Sequence, residues 1–356
     1  MKDKVMFFVL VCISLLLVTV AKFNLSFAEY YAVNIYPIFA KTISFLTSKA
    51  TVSVAEIIII VLIVTILIYL IITIIQTIKY KSADFIKKFF SNIALLAASL
   101  YLFFVLFCGI NYFRYEFTFY SGLEIKDSSK EELVNLCELL IDDANEMRSG
   151  LITGEEKTAL LFDSNYYDTA ERARVSFENI SLKYKILEGN YSAPKPVKFS
   201  KVMSQMNITG IFFPYTFEAN VNVDIPPYQI PSTMLHELVH LRGFMREDEA
   251  NFISYLACIN SGYSDFAYSG TMLALTYSMN ALYIEDYDEF EKLYKTYSEE
   301  VKNDLEYSRN YWNKYDTKVA KISNSINDVY LKANNQKDGV KSYGRMVDLL
   351  VAYYRN

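Results

Sequence analysis

Histidine is scarce in this chain, which has only two, His236 and His240, among 356 residues. A metal site built from three histidines is therefore excluded. Cysteine is also rare, with four residues and no Cys-x-x-Cys pair, so a cysteine zinc site is excluded as well. Basic clusters are missing outside one short loop and the formal net charge is −5, which gives no support for nucleic-acid binding.

The two histidines lie four residues apart, with Glu237 directly after the first, in the pattern His-Glu-x-x-His. Residues at this spacing share one face of an α-helix, so both imidazoles can reach one metal ion. Glu237 points to the side of the pair, where a general base would meet a metal-bound water. The alternative is a histidine pair with only a surface or packing role. We expect Ser232 and Thr233 to cap this helix after Pro231, and Gly243 to end it.

Three long apolar runs precede this motif and predict membrane-spanning helices at about 5–21, 57–78 and 93–112. Residues 1–114 would then form a membrane anchor and residues 115–356 a domain beyond it. The first run could instead be a signal peptide, with Ser26-Phe27-Ala28 as its cleavage site, but its length favours an uncleaved span. A buried core helix is the alternative, which the uniformly apolar run 57–75 disfavours.

Lysines beside the spans predict their orientation. Lys2 and Lys4 precede the first span, and the loop between the second and third carries Lys79, Lys81, Lys87 and Lys88. Such positive segments stay in the cytoplasm, so we expect a multi-pass protein of the cytoplasmic membrane whose last domain faces outside. The aromatic-rich segment 29–53 would lie on the bilayer surface or form an ordinary extracellular loop.

The sequence of residues 115–356 predicts a mainly helical, zincin-like domain with a small β element. We expect helices over 131–147, starting from Ser128 or Ser129, and over 169–184, and a final helix over 343–354. A short strand is predicted at 197–200, and residues 210–224 are β-prone. This β element either offers a free edge to an extended peptide or forms a hairpin that only packs on the metal helix. A disulfide between Cys137 and Cys258 is one further possibility.

A third metal ligand has to be a carboxylate, because no third histidine exists, and two His with one Glu is a known catalytic zinc set. The acidic cluster 247–249 follows the motif, although carboxylates there could simply stabilise a helix N-terminus. In gluzincin-like peptidases, Asp or Asn often follows the ligand Glu by four residues. By that analogy Glu247 is the ligand, Asn251 or Asp248 holds a ligand histidine from behind, and Glu249 is the fallback ligand.

Several sequence segments follow the three apolar runs in a fixed order: Gly109-Ile-Asn-Tyr-Phe-Arg114, Gly210-Ile-Phe-Phe-Pro214, Glu218-Ala-Asn-Val-Asn222, His236-Glu-Leu-Val-His240-Leu-Arg-Gly243, Glu247-Asp-Glu-Ala-Asn-Phe252 and Asp338-Gly-Val-Lys-Ser-Tyr-Gly-Arg345. These segments resemble a family of bacterial membrane proteins called DUF3810. The resemblance covers most of the chain and includes the three N-terminal spans. It implies a zinc-metallopeptidase-like protein with no assigned general function.

Together these observations predict a membrane-anchored metallopeptidase that binds Zn²⁺ and cuts a peptide or protein substrate outside the membrane, with Glu237 as general base. The alternatives are a metal-binding membrane sensor and a scaffold with structural zinc, neither of them hydrolytic. A tyrosine or arginine can stabilise the oxyanion in zinc hydrolysis, although each candidate could equally be a packing residue. The candidates are Tyr255, Tyr268, Tyr343, Arg242 and Arg345.

Overall fold

The structure is a computed structural model that describes residues 2–154, 158–159, 165–189, 191–336 and 345–355. Within these ranges the chain is mainly helical, as predicted, and adds one small sheet. The predicted motif 338–345 lies outside the described residues except for its last position, Arg345.

Three helices are long and apolar enough to cross a bilayer: α1 (Lys2–Phe23), α4 (Val54–Tyr80) and α5 (Asp84–Phe107). They are candidate spans that match the three predicted segments in length and composition, and α5 packs against both others. The predicted bounds of the third span, 93–112, are wrong at both ends. Its helix starts at Asp84 and stops before Cys108, whose backbone leaves helical geometry and leads into a 3₁₀ turn, Gly109–Phe113.

The segment between the first two spans is helical and contacts the rest of the protein. It contains α2 (Leu25–Tyr30), a π-helical turn (Tyr31–Ile35) and α3 (Tyr36–Thr47). At the start of α3, the buried Tyr36 hydroxyl lies 3.2 Å from the backbone carbonyl oxygens of His240 and Leu241. The segment is therefore more than an open loop, while its position relative to the bilayer surface stays a prediction.

The helix predicted at 131–147 is confirmed as α7, where Ser129 and Glu132 form a reciprocal capping box. The helix predicted at 169–184 is confirmed as α8, which begins slightly earlier, after the N-cap Asn165. The helices beyond the spans are α6 (Phe117–Ser121), α7 (Lys130–Ser149), α8 (Tyr166–Lys183), α9 (Ser200–Gln205), α10 (Ile230–Leu241), α11 (Glu247–Ile259), α12 (Ser264–Glu285), α13 (Tyr287–Tyr294), α14 (Glu299–Asn313), α15 (Lys318–Ala333) and α16 (Arg345–Arg355).

A three-stranded sheet packs on α10. Its strands are β1 (Lys195–Pro196), β2 (Gly210–Phe213) and β3 (Glu218–Val221). The central strand β3 pairs parallel with β1 and antiparallel with β2. The predicted β-prone segment is thus a hairpin, with Phe217 at a positive φ of 48° in its turn. The strand predicted at 197–200 is wrong, because pairing stops at Val197 and α9 begins at Ser200.

The possible disulfide between Cys137 and Cys258 is not formed, since both residues are buried free thiols. Cys137 lies in α7 and Cys258 in α11. The Cys258 side chain faces Gly270 of α12, where an added Cβ would come within 2.3 Å of the Cys258 Cβ. Cys258 therefore serves close packing between α11 and α12.

A buried carboxylate joins the sheet to the second span. Glu218 of β3 pairs with Lys195 of β1, and both side chains are almost fully buried. The same carboxylate accepts the backbone N–H groups of Val54 (3.2 Å) and Ala55 (2.7 Å) at the N-terminus of α4, where a negative charge complements the helix dipole. Lys195 also donates to the carbonyl oxygen of Thr47, at 2.6 Å. One ion pair thus fixes α3, α4 and the sheet together.

We expect Glu218→Gln to lower the free energy of unfolding by about 3–5 kcal/mol, because it leaves the Lys195 ammonium buried without its counter-charge. The measurement is thermal unfolding of the full chain in detergent, followed by circular dichroism. Asp84→Asn is the control, since it removes a carboxylate from an exposed pair with Lys87 and should leave the unfolding temperature unchanged. Equal unfolding temperatures for the two variants would contradict this account.

Candidate metal centre

The motif helix α10 begins earlier than predicted. Ser232 and Thr233 lie inside its first turn, and the N-cap is Gln229, without a side-chain cap. The cause is Pro231, whose fixed φ suits the first turn of a helix and whose missing N–H costs nothing there. Ser232 instead donates its backbone N–H to the hydroxyl of Ser269 in α12, at 2.9 Å. Its predicted role as a cap is therefore wrong.

The predicted end of the helix at Gly243 is confirmed. Gly243 follows the last residues of α10 with a φ of +86°, a conformation that favours glycine. A Cβ at this position would also come within 3.1 Å of the Asn111 Nδ2 and the Tyr36 Cε1 atoms. The turn that follows leads into α11, which begins at Glu247.

This turn brings His236, His240 and Glu247 together. The two Nε2 atoms lie 3.1 Å apart. Glu247 Oε2 lies 3.2 Å from His236 Nε2, and Glu247 Oε1 lies 3.7 Å from His240 Nε2. Ligands at about 2.0–2.1 Å in a tetrahedron around zinc are separated by roughly 3.3 Å. The spacing of the three groups therefore fits a single zinc-sized ion.

The second nitrogen of each imidazole has its own partner. His240 Nδ1 lies 2.8 Å from the backbone oxygen of Phe244, which can only accept, so this nitrogen carries the proton. His236 Nδ1 lies 2.9 Å from Asn251 Oδ1 in α11. Both arrangements turn the Nε2 atom towards the other two groups, where it would bind a metal ion in its deprotonated form. Asn251 therefore contacts a candidate ligand histidine, as predicted. Asp248, the other residue predicted for this role, pairs with Arg345 instead.

The charges of these groups are coupled. Burial lowers the pKa of both histidines, and for His240 it prevails and gives a pKa of about 4. For His236, the hydrogen bond and negative charge of Glu247 outweigh burial and raise the pKa to about 9. Burial also opposes ionisation of Glu247, but the hydrogen bond from His236 lowers its pKa overall. The carboxylate therefore favours a positive charge at this point, which a divalent cation would supply.

Glu237 is buried between α10 and β2. It accepts the backbone N–H of Phe212, while its Oε2 has no hydrogen-bond partner among the residues that the structure describes. Burial raises the pKa of its carboxyl to about 8, although His236 opposes the shift. Only glycine fits opposite it, because a Cβ on Gly210 would come within 2.5 Å of Glu237 Oε1. The sequence analysis missed this role of Gly210, which the fold alone reveals.

The other two acidic residues of the cluster point elsewhere. Asp248 pairs with Arg345 at 2.8 Å. Glu249 accepts the backbone N–H of Phe117 at 2.6 Å and pairs with Arg246 at 3.3 Å. Glu249, the fallback ligand, is therefore not part of the group that could hold an ion, which consists of His236, His240 and Glu247.

The predicted oxyanion residues have structural partners away from this group. The Tyr255 hydroxyl bonds that of Tyr354, and the Tyr268 hydroxyl donates to Asp304. Arg242 donates to the carbonyl oxygens of Leu187 and Gly189. Arg345 pairs with Asp248, and Tyr343 lies outside the described residues.

Tyr277 and Gln336 are nearer to the site, and the sequence analysis did not single them out. The Tyr277 hydroxyl accepts a hydrogen bond from Asn251 Nδ2 at 3.4 Å. Gln336 Oε1 accepts the backbone N–H of Glu247, also at 3.4 Å. Gln336 thus contacts a member of the metal group directly, and Tyr277 contacts Asn251, which in turn contacts His236. No spacing rule connects them to the His-Glu-x-x-His motif.

The zinc content of two variants distinguishes the roles of Glu247 and Glu249, the two glutamates of α11. We expect Glu247→Gln to lower zinc binding strongly, because it removes the only carboxylate beside the two Nε2 atoms among the described residues. Glu249→Gln is the matched control and should bind zinc as the wild type does. Elemental analysis of the purified full chain, with zinc titration, measures both. Loss of zinc in Glu249→Gln with retention in Glu247→Gln would reverse the assignment.

Substitution of Asn251 tests whether its contact with His236 orients that imidazole. We expect Asn251→Ala to weaken zinc affinity about 10–100-fold, because His236 loses the partner that fixes its ring and its tautomer. Competition with a chelator of known affinity measures the change. Asn251→Asp, which still offers an acceptor to Nδ1, should retain most of the affinity. Unchanged affinity in Asn251→Ala would mean that the contact does not orient the ligand.

No curated protein and no solved structure matches this chain. One family model matches residues 31–351, which include α3, the spans α4 and α5, the sheet and the metal group. This match extends over most of the chain and agrees with the resemblance found in the sequence. The chain belongs to the family described as Protein of unknown function (DUF3810).

Proposed function

We propose that this chain is a membrane-anchored, zinc-dependent peptidase. The observation that carries the proposal is the juxtaposition of two histidines and one glutamate, 3.1–3.7 Å apart, with a second glutamate buried beside them. Nitrogen and carboxylate donors at this spacing suit zinc. The Nδ1 contacts support the same assignment, because they turn the Nε2 atoms of both histidines towards Glu247, where an ion would displace the proton of His236.

The ligand number favours a catalytic site over a structural one. Structural zinc sites are closed by four protein ligands, whereas catalytic sites keep one position for water or substrate. Asp248 and Glu249 are the nearest further carboxylates in sequence, and both are held by other partners. Among the described residues, three groups meet at this point. This count argues against the scaffold alternative, which needs a fourth protein ligand.

A bound zinc ion would polarise a substrate carbonyl and acidify a water molecule. Glu237 is the group that would take the proton of that water and pass it to the leaving amine. Its raised pKa of about 8 reflects burial without a bound cation, and a positive charge beside it would favour the carboxylate form. The Phe212 N–H holds one carboxylate oxygen, so the other remains available for proton transfer.

The sheet offers a peptide a place to bind. The N–H of Asn222 donates to the oxygen of Thr209 at 2.9 Å, which makes this a hydrogen-bonded pair of the β2–β3 ladder. Because such pairs alternate, the backbone groups of Gly210 and Phe212 point away from β3, towards the free edge of β2. An extended substrate could pair with the remaining groups of this edge, close to Glu237.

The lysine distribution supports an orientation with the metal group outside the cytoplasmic membrane. The chain lies on the metal side of the spans between the C-terminus of α1 and the N-terminus of α4, and again after the C-terminus of α5. The lysine-rich loop 79–88 connects the opposite ends of α4 and α5. A sensor that binds metal without hydrolysis remains the second candidate, and the general base distinguishes it from a peptidase.

We expect Glu237→Gln to retain zinc and to lower peptide hydrolysis by at least about 10²–10⁴-fold, because it removes the general base and no ligand. The assay uses the full chain in nanodiscs with zinc and a quenched-fluorescence peptide library. Glu249→Gln serves as the control and should remain active. Hydrolysis that survives in Glu237→Gln would exclude the proposed mechanism. Zinc binding without zinc-dependent hydrolysis in the wild type would favour the sensor.

A further inference from the structure

The helix α15 exposes an apolar face. Its apolar residues recur at spacings of three and four, so they form one stripe along the helix. The opposite face carries Ala320 and Leu331, which are buried against the protein. A helix that packs on one side and exposes an apolar stripe on the other is expected to bind a further apolar partner along that stripe. The stripe consists of Val319, Ile322, Ile326 and Val329, each between 53% and 67% exposed.

The C-terminal part of α15 lies beside the end of the third span. The Tyr330 hydroxyl accepts a hydrogen bond from Tyr112 at 3.0 Å, and Tyr112 belongs to the turn directly after α5. The Tyr330 ring also packs on Phe104 in the last turn of α5, with ring centroids 6.1 Å apart. The C-terminal end of the exposed stripe therefore lies beside the end of the third candidate span.

A second exposed apolar patch lies at the end of the second span. Phe199 and Val202, at the start of and within α9, are 54% and 48% exposed. The backbone N–H groups of Lys198 and Phe199 donate to the carboxylate of Glu56, at 3.0 and 2.8 Å. Glu56 lies in the first turn of α4. This patch is thus fixed to the metal-side end of α4.

The two patches lie on neighbouring elements of the chain. Asn207, just after α9, donates to the side chain of Asn324 at 3.4 Å, on the side of α15 that faces away from the stripe. Lysines border both patches, with Lys198 and Lys201 beside the first and Lys318 and Lys321 beside the second. We call this the α9–α15 surface, formed by Phe199, Val202, Val319, Ile322, Ile326 and Val329.

We propose that the α9–α15 surface inserts into the interfacial layer of the same bilayer that α4 and α5 cross. Both of its patches are fixed to span ends on one side of the membrane, so lipid is the neighbour that this position guarantees. An apolar stripe bordered by lysines is typical of helices that lie in the membrane interface, where long lysine side chains reach the headgroups. The surface thus rests on lipid while its opposite side faces the protein.

This docking has a consequence for the metal group. Gln336, three residues after α15, is buried and accepts the backbone N–H of Glu247. The membrane-bound helix therefore ends beside a metal ligand, which holds the metal group close to the membrane surface. If the proposed peptidase activity is correct, its substrates are peptide segments that lie near the bilayer.

Spin labels test the docking without any assay of activity. The full chain, with Cys12→Ser to remove its one exposed thiol, is labelled at Ile322→Cys, Ile326→Cys or Glu299→Cys. The last is the control, because Glu299 at the start of α14 is also well exposed but lies outside the α9–α15 surface. Electron paramagnetic resonance in phosphatidylcholine–phosphatidylglycerol nanodiscs then measures collisions with oxygen, which concentrates in lipid, and with a water-soluble nickel chelate.

We expect the ratio of oxygen to nickel accessibility to be several-fold higher at positions 322 and 326 than at 299. Equal ratios at all three positions, with high nickel accessibility, would place the surface in water and overturn the proposal. Low accessibility to both reagents with dipolar broadening between labels would identify a second copy of the chain as the occupant, which also overturns it. Zinc content of each labelled protein checks that the fold is retained.

Discussion

The turn between α10 and α11 is the constraint on which the candidate site depends. Gly243 adopts a positive φ two residues after the last residue of α10, Leu241, and the chain then reverses. This reversal returns the Phe244 carbonyl to His240 Nδ1 and starts α11 with Glu247 facing both imidazoles. A single backbone conformation therefore fixes the orientation of one ligand and the position of another.

The turn is held in place by residues from the membrane-proximal part of the chain. Tyr36 of α3 lies within hydrogen-bonding distance of the last carbonyl oxygens of α10, and Asn111 follows the third span. Both would contact a Cβ at Gly243. Glu218 binds the N-terminus of α4 to the sheet that carries Phe212 and Gly210 beside Glu237. The metal group is thus built on contacts that cross the predicted boundary at residue 114, and we expect residues 115–356 alone to lack part of its support.

Much of the fold and of the site could be predicted from local patterns. Long apolar runs predict the three candidate spans. The spacing of His236 and His240, together with the analogy to gluzincin-like peptidases for Glu247 and Asn251, predicts the groups that the structure brings together. The failures have a common cause. Composition predicts where an element lies but not where it ends. The third span ends before Cys108, the strand predicted at 197–200 gives way to α9, and Pro231 moves the start of α10 ahead of Ser232.

Tertiary contacts explain what the sequence could not provide. Tyr255, Tyr268 and Arg242 were reasonable oxyanion candidates by residue type, but their partners Tyr354, Asp304 and Leu187 are distant along the chain. The requirement for glycine at position 210 depends on the packing of β2 against Glu237. The sequence does not show this requirement, because a glycine in a strand gives no local signal of a neighbouring carboxylate.

The electrostatics of the site favour a bound cation. Four ionisable side chains, two imidazoles and two carboxylates, are buried or nearly buried within one helix turn and the start of the next. Burying such groups costs free energy unless charges are paired and hydrogen bonds are complete. Here the pairing is incomplete, since Glu237 Oε2 has no described partner and the pKa of its carboxyl is raised. One divalent ion at the Nε2 atoms would compensate Glu247 directly and Glu237 through space, which removes the cost that burial imposes on both carboxylates.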